Sequence, residues 1–288
     1  MLFRSQLAVL KQANDEKAKL KVLQSELQEK NSAYTRLQAK LHRRQQLLQQ
    51  WRQLLQTLEV DLAEKKLQLQ HIQDNLDSYT DYAMGTKNLL ILHKKRDLDL
   101  KGFIGVLGDL ISVPPGLEKA IESAGGGNLG NIVLSSSQAA RYCIKIAKEQ
   151  ALGKVTLLPL DNLKPVHRFV AADAWADRYG VLGIAMDLLS FPAYIETAVA
   201  YVFANVLVVK ELKRALSLFK QLKNTAKIVT LDGELIYPGG AVTGGRFKRE
   251  RTGVIQKKAA LTQQQQQIEI VQIRKQKLAL QISSVNAF

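Results

Sequence analysis

No proline occurs before Pro114 and no glycine before Gly85, so nothing upstream of Gly85 interrupts a helix. The chain has a single cysteine, Cys143, in 288 residues. That excludes a disulfide framework, a multi-cysteine metal site and a hook closed on zinc by a C-x-x-C pair, and it points to a reducing compartment. No run of about 18 apolar residues is available to span a bilayer, and the start Met1-Leu2-Phe3-Arg4-Ser5-Gln6 lacks the layout of a signal peptide. The expectation is a cytoplasmic chain with no membrane partner. No G-x-x-x-x-G-K-[ST] occurs, so the chain alone has no Walker A phosphate cradle and should not hydrolyse ATP. Acidic residues are the scarcer charge, 26 against 41 Lys and Arg, and the net +15 with a pI near 9.8 favours a polyanionic partner such as nucleic acid.

What is present is a heptad. Leu20, Leu27, Tyr34, Leu41, Leu48, Leu55, Leu62, Leu69 and Leu76 recur every seventh residue. The matching second positions are Leu23, Lys30, Leu37, Arg44, Trp51, Leu58, Lys65, Ile72 and Tyr79, apolar or basic on long stems. One helix therefore carries a continuous coiled-coil seam. At about 1.5 Å per residue, eighty residues reach roughly 120 Å, too long for a compact domain to cover. A second seam follows at the other end through Leu261, Gln264, Ile268, Val271, Lys275, Leu278, Ile282 and Val285, spaced by threes and fours across the glutamine run 263–267. Two such helices entering and leaving one module can pair antiparallel. The returning helix should cover only the module-proximal third of the outgoing one, so the chain is expected to be a piece of a longer one or to take its missing strand from another chain.

Between the arms the heptads stop, and glycine, proline and β-rich runs appear. Strands are expected at 103–113, 131–134, 155–158, 205–209, 227–231 and 235–237, with helices at 117–123, 138–149, 193–203 and 211–222. A weak repeat runs through them. Glu118-Lys119-Ala120 is echoed by Glu196-Thr197-Ala198, Asn131-Ile132-Val133-Leu134 by Asn205-Val206-Leu207-Val208, and Lys154-Val155-Thr156-Leu157 by Lys227-Ile228-Val229-Thr230, at offsets of 78, 74 and 73. This predicts two similar halves dividing near Ser190.

Little in the module reads as catalytic. Gly125 to Gly130 satisfies G-x-G-x-x-G, but it follows a predicted helix and leads into a strand, the reverse of a dinucleotide loop. His42, His71, His93 and His167 form no pair with metal-ligand or triad spacing. Cys143 sits beside apolar residues on a predicted helix as a small buried hydrophobe, and Asp109, Asp161, Asp187 and Asp232 read as capping residues.

Two features remain. The strip Pro238-Gly239-Gly240-Ala241-Val242-Thr243-Gly244-Gly245 is a backbone ribbon free of large side chains, which another backbone can approach closely as an added strand. The positive charge is also uneven. It amounts to +5 over residues 246–258 and +3 over 87–101, while the core between holds fourteen basic and twelve acidic residues. An antiparallel return would join both segments into a basic neck suited to phosphate contacts without sequence reading.

At these residues the chain resembles the hinge region of SMC (structural maintenance of chromosomes) proteins of the bacterial condensin type. The marks are Gly102-Phe103-Ile104-Gly105-Val106-Leu107-Gly108-Asp109-Leu110-Ile111, Val155-Thr156-Leu157-Leu158-Pro159-Leu160-Asp161, Asn205-Val206-Leu207-Val208-Val209, and Ile228-Val229-Thr230-Leu231-Asp232-Gly233 running into the double-glycine strip. The resemblance implies an α/β (α+β) module of two subdomains inserted between two antiparallel coiled-coil helices. Its parts would be an arm at 1–85, a basic junction at 86–101, subdomains at 102–190 and 191–245, and a junction with a second arm at 246–288. It implies a homodimer formed through Gly239, Gly240, Thr243, Gly244 and Gly245. It also implies sequence-independent DNA contacts from Lys94, Lys95, Arg96, Lys101, Arg246, Lys248, Arg249, Arg251, Lys257 and Lys258. The protein so implied is a nucleoid-associated organiser acting in chromosome condensation, segregation and cohesion. ATP, Mg and kleisin-type subunits would belong to heads absent from this sequence, with no cofactor and no enzyme activity in this part. The competing reading is a small-molecule-binding or enzymatic α/β domain carried on a coiled-coil tether, with the loop at 125–130 as its site.

Overall fold

The computed structural model describes the backbone of residues 2–95, 100, 102–164, 169, 174–222, 225–245 and 253–286. In chain order the elements are α1 (Leu2–Asp77), α2 (Met84–Lys94), β1 (Phe103–Val106), α3 (Leu107–Leu110), α4 (Glu118–Gly125), β2 (Ile132–Leu134), α5 (Ser137–Glu149), β3 (Leu157–Pro159), α6 (Ala174–Tyr179), β4 (Val181–Ile184), α7 (Glu196–Phe203), β5 (Val206–Val209), α8 (Leu212–Gln221), β6 (Lys227–Thr230), β7 (Leu235–Ile236), β8 (Val242–Thr243) and α9 (Val254–Asn286). Residues 1–65 with 268–288 form one compact unit, and residues 66–267 form the other.

In the first unit α1 and α9 run antiparallel. Lys275 pairs with Glu59 at 2.9 Å, and the Arg44 guanidinium donates to the Val285 carbonyl. The predicted seam is the one used: Leu48, Trp51, Leu55, Leu58 and Leu62 are half-buried, facing buried Ile268, Val271 and Leu278. Leu20, Leu23, Leu27, Tyr34, Leu37 and Leu41 are instead 56 to 67% exposed. Half-burial of the α1 seam starts at Arg44 and continues to Leu76, over 33 residues of the helix.

The second unit holds two sheets built alike. In the three-stranded sheet β1-β2-β3 the first pair is antiparallel and the second parallel, and β4-β5-β6 repeats this before β7 and β8 extend it antiparallel. Both first strands carry a register shift at a glycine, Gly105 and Gly183. A Cβ on either glycine would meet the leucine five residues on, Leu110 or Leu188, which folds back over the bulge. That bulge is why the apolar run 103–113 is not one long strand: it ends at Val106 and turns into the single turn α3. Gly105 pairs with Val133 where Gly183 pairs with Val208, and Ile132 pairs with Leu157 where Leu207 pairs with Ile228. The structural offsets are therefore 78, 75 and 71. The echoes at 74 and 73 align similar letters one and two residues out of register.

The halves share a core. Ile121, Val133 and Leu129 cluster with Ile195, Phe203 and Val206 to Val209, all buried. A second cluster joins Leu89 and Leu90 of α2 to Ile132, Leu134, Cys143 and Ile146 on the other face of the first sheet. Helix α2 thus packs into the module, where the charge pattern suggested only a junction. Strand β4 precedes Ser190 yet pairs with β5, so the sheet of the second half begins before the expected division.

Candidate interface and basic neck

Strand β8 ends the order β4-β5-β6-β7-β8 and, among the described residues, is bonded only to β7, with Leu235 opposite Thr243 and Ile236 opposite Val242. Residues 237 to 245 are all exposed. The connecting turn is closed by Tyr237 N–H to the Ala241 carbonyl at 2.8 Å and Gly240 N–H to the Tyr237 carbonyl at 2.9 Å. Gly239 and Gly240 have φ of 94° and 99°, which explains glycine at both. Gly244 differs, because its φ is ordinary and a Cβ there would meet only the flexible Glu234 side chain, at 3.3 Å. Among the described residues nothing requires a glycine at 244. The structure thus places Gly239, Gly240, Thr243, Gly244 and Gly245 on one exposed hairpin edge.

The repeat marks a second open edge. In the larger sheet β6 is followed by β7, whereas among the described residues β3 has no strand on its outer side. Beside β3 lies an open groove of about 650 Å³ between α5 and the strand, lined by Ala140, Arg141, Ile144, Lys148 and Pro159. Helix α5 is set there by two caps: Ser136 accepts from Ala139 N–H, and the Asp161 carboxylate accepts from the Ser137 N–H at 2.7 Å. These bonds to Ser137 hold the exposed Asp161 carboxyl below its usual range.

Four of the expected neck cations are described. Lys94 pairs with Asp77 at 3.1 Å and lies over the Tyr79 ring, 5.9 Å from its centroid. Lys95 is exposed at the end of α2. Lys257 is bonded to both Asp81 oxygens, at 2.6 and 2.9 Å. Lys258 reaches Asp109 at 2.6 Å and the Gly108 carbonyl at 2.9 Å. Arg96, Lys101, Arg246, Lys248, Arg249 and Arg251 lie outside the described residues.

Charge counting along the chain missed the acids that receive these lysines. Asp81, Asp109 and Glu122 come from the turn after α1, from α3 and from α4, and all converge on the first turn of α9. Glu122 accepts the Ile255 N–H at 2.7 Å, and a Cβ at Gly253 would run into its carboxyl group. Burial raises the Glu122 carboxyl above the usual range, while the N–H groups of Ile255, Gln256 and Val254 pull it down. Burial also pushes the Tyr82 hydroxyl up, reinforced by the Asp109 charge to which that hydroxyl is bonded. The one signal in the sequence was Gly253 just ahead of an unbroken helical run, which reads as a breaker until its crowding is seen.

The loop Gly126–Gly130 is a 3-10 turn between α4 and β2, with Leu129 buried and the Gly130 carbonyl accepting from Thr86 at 3.2 Å. Its backbone is used internally. Cys143 is buried, and burial raises its thiol. His42 and His71 contact Gln46 and Asn75 one helical turn on, and His93 lies on the Phe103 ring. His167 lies outside the described residues. Among the described residues no cluster of three His, Cys, Asp or Glu is placed to hold a metal, and no helix is long and apolar enough to cross a membrane.

Residues 100–219 match the family model for the flexible hinge domain of SMC proteins. Chromosome partition protein Smc of Desulfitobacterium hafniense is 31% identical over 201 residues, covering 70% of this chain and 17% of that protein. The Smc protein of Bacillus subtilis is 28% identical over 234 residues, 81% of this chain and 18% of its own length. This chain spans about a sixth of the length of these curated relatives. Among solved structures, an asymmetric dimer of the Geobacillus stearothermophilus SMC hinge domain superposes with a TM-score of 0.73 at 29% identity, covering 86% of this chain and 98% of that one.

Proposed function

Because the chain belongs to the SMC family, as a hinge with a coiled-coil arm on either side, we propose that it joins two copies of itself and contacts DNA where the arms meet the hinge. The observation that carries the joining is the open edge of β8. Each sheet ends on its later side in an edge strand, β3 in one and β8 in the other, and among the described residues neither has on its outer side the strand that a sheet edge accepts. Two copies related by a two-fold axis can add each β8 to the other's β3, so that both of these edges find a partner strand. Gly244, which no described contact within the single chain requires, then serves close backbone approach across the joint.

A hinge is a joining domain and not a catalytic one, so the proposed role is mechanical. Contact with DNA is supported by the basic segments 87–101 and 246–258, of which Lys95 in the first is exposed. In the longer protein of which this is the hinge, the work would be chromosome condensation and segregation, with ATP, Mg and kleisin-type subunits acting at distant heads. Light scattering of the 32.1 kDa chain is expected to give twice the monomer mass, and the pair Gly244→Glu with Gly245→Glu is expected to return it to one. A wild-type chain that stays monomeric at tens of micromolar overturns the joining role.

A further inference from the structure

Resting on the reading that the neck contacts DNA, we propose that the first turn of α9 is an ion-pair latch that withholds Lys257 and Lys258 from polyanions. Three carboxylates from three separate elements hold that turn. Asp81 takes Lys257, Asp109 takes Lys258, and Glu122 takes the helix amide of Ile255. The pairs are also sheltered. The Lys257 and Asp81 side chains are 19% and 22% exposed, and those of Lys258 and Asp109 are 33% and 40%, against 55% and 56% for Lys94 and Asp77.

Shelter decides the competition. An exposed pair such as Lys94 with Asp77 is screened by water and salt and yields readily to an arriving phosphate. A pair removed from water attracts more strongly, and its second hydrogen bonds must also be broken: the other Asp81 oxygen for Lys257, the Gly108 carbonyl for Lys258. A phosphate that captures either lysine leaves a carboxylate unpaired beside it, and that negative charge repels the phosphate. The two lysines therefore count toward the net charge of the chain but not toward its affinity while the latch is closed. A polyanion that does engage them must release the first turn of α9 from the turn after α1 and from α3.

The test neutralises the latch without changing its shape. In the full 288-residue chain, Asp81→Asn with Asp109→Asn should bind a 30-base-pair duplex about tenfold more tightly at 0.1 M salt, on the order of threefold per freed cation. The log–log salt slope should steepen by about 1.8, roughly 0.9 for each cation freed. Asp177→Asn with Glu196→Gln, two exposed acids on α6 and α7, supplies the same charge change elsewhere. Adding Lys257→Ala and Lys258→Ala to the unlatched chain should return its affinity to the wild-type value. A gain no larger than that of the charge-matched pair overturns the latch while leaving DNA contact standing, and so does a gain that survives loss of both lysines. If neither wild type nor unlatched chain binds the duplex, the DNA reading itself falls. Should the double variant not fold, Asp81→Asn and Asp109→Asn singly carry the same test at about threefold each.

Discussion

Ser112 and Ser190 exchange both of their backbone hydrogen bonds, each N–H donating to the other's carbonyl at 2.8 and 3.0 Å. They are 78 residues apart, the spacing that also separates Gly105 from Gly183 and Leu110 from Leu188. Residues that occupy equivalent places in the two halves thus meet each other, which puts the local symmetry axis between them. Since only main-chain atoms make the bridge, Ser112→Ala and Ser190→Ala should change stability by less than about 0.5 kcal/mol. Ser112→Pro removes a donor and should cost about 1 to 3 kcal/mol in urea unfolding. An alanine as costly as the proline would show that the hydroxyls carry the joint.

Glycines of the β8 hairpin should separate into two kinds. Gly239→Ala forces a side chain onto φ of 94° and should destabilise the isolated chain by about 1 kcal/mol. Gly244→Ala meets no such strain and should leave unfolding of a dilute sample unchanged while weakening self-association, read by sedimentation across concentrations. The reverse pattern would assign Gly244 to the folding of a single chain.

Glu122 predicts a pH dependence with a definite sign. Burial raises its folded-state value, so between the unfolded and folded values the folded chain binds more protons. That contribution to stability is fully present below the unfolded value and is lost as pH rises through the folded one. The stability of wild type relative to Glu122→Gln should therefore fall as pH rises from about 4 to about 7. A difference that stays flat in urea titrations over this range would contradict the buried cap.

The seam offers a contrast within one motif. Leu278 is 7% exposed and Leu27 is 63% exposed, although both are leucines at heptad core positions. Leu278→Ala should cost about 2 to 3 kcal/mol, whereas Leu27→Ala should stay within about 0.5 kcal/mol. Equal costs in thermal unfolding would mean that residues 20–41 are covered in solution by another strand.

The arms are legible because a heptad needs only local spacing: the eight seam positions from Leu261 to Val285 are all buried or half-buried. Most module elements were legible for the same reason, from the short continuous β-branched runs of β2, β5 and β6 and the 3.6-residue periods of α5 and α8. Elements whose signal is not local were missed. Strand β4 is a four-residue run between Gly180 and Ala185, and α2 looks like a charged linker until Leu89 and Leu90 meet Cys143 and Ile146.

By itself, then, the sequence determined where the helices run, which face of each is apolar, and that a glycine-rich strip ends the module, all consequences of backbone geometry between near neighbours. Only the tertiary structure decided the register of the repeat, the β8 and β3 edges, and which of the described neck lysines are paired. Lys257 and Asp81 are 176 residues apart along the chain and 2.6 Å apart in space. Charge counting sums the two lysines with the rest of the positive neck, whereas Coulomb attraction and strand pairing act through distance, which spacing along the chain does not encode.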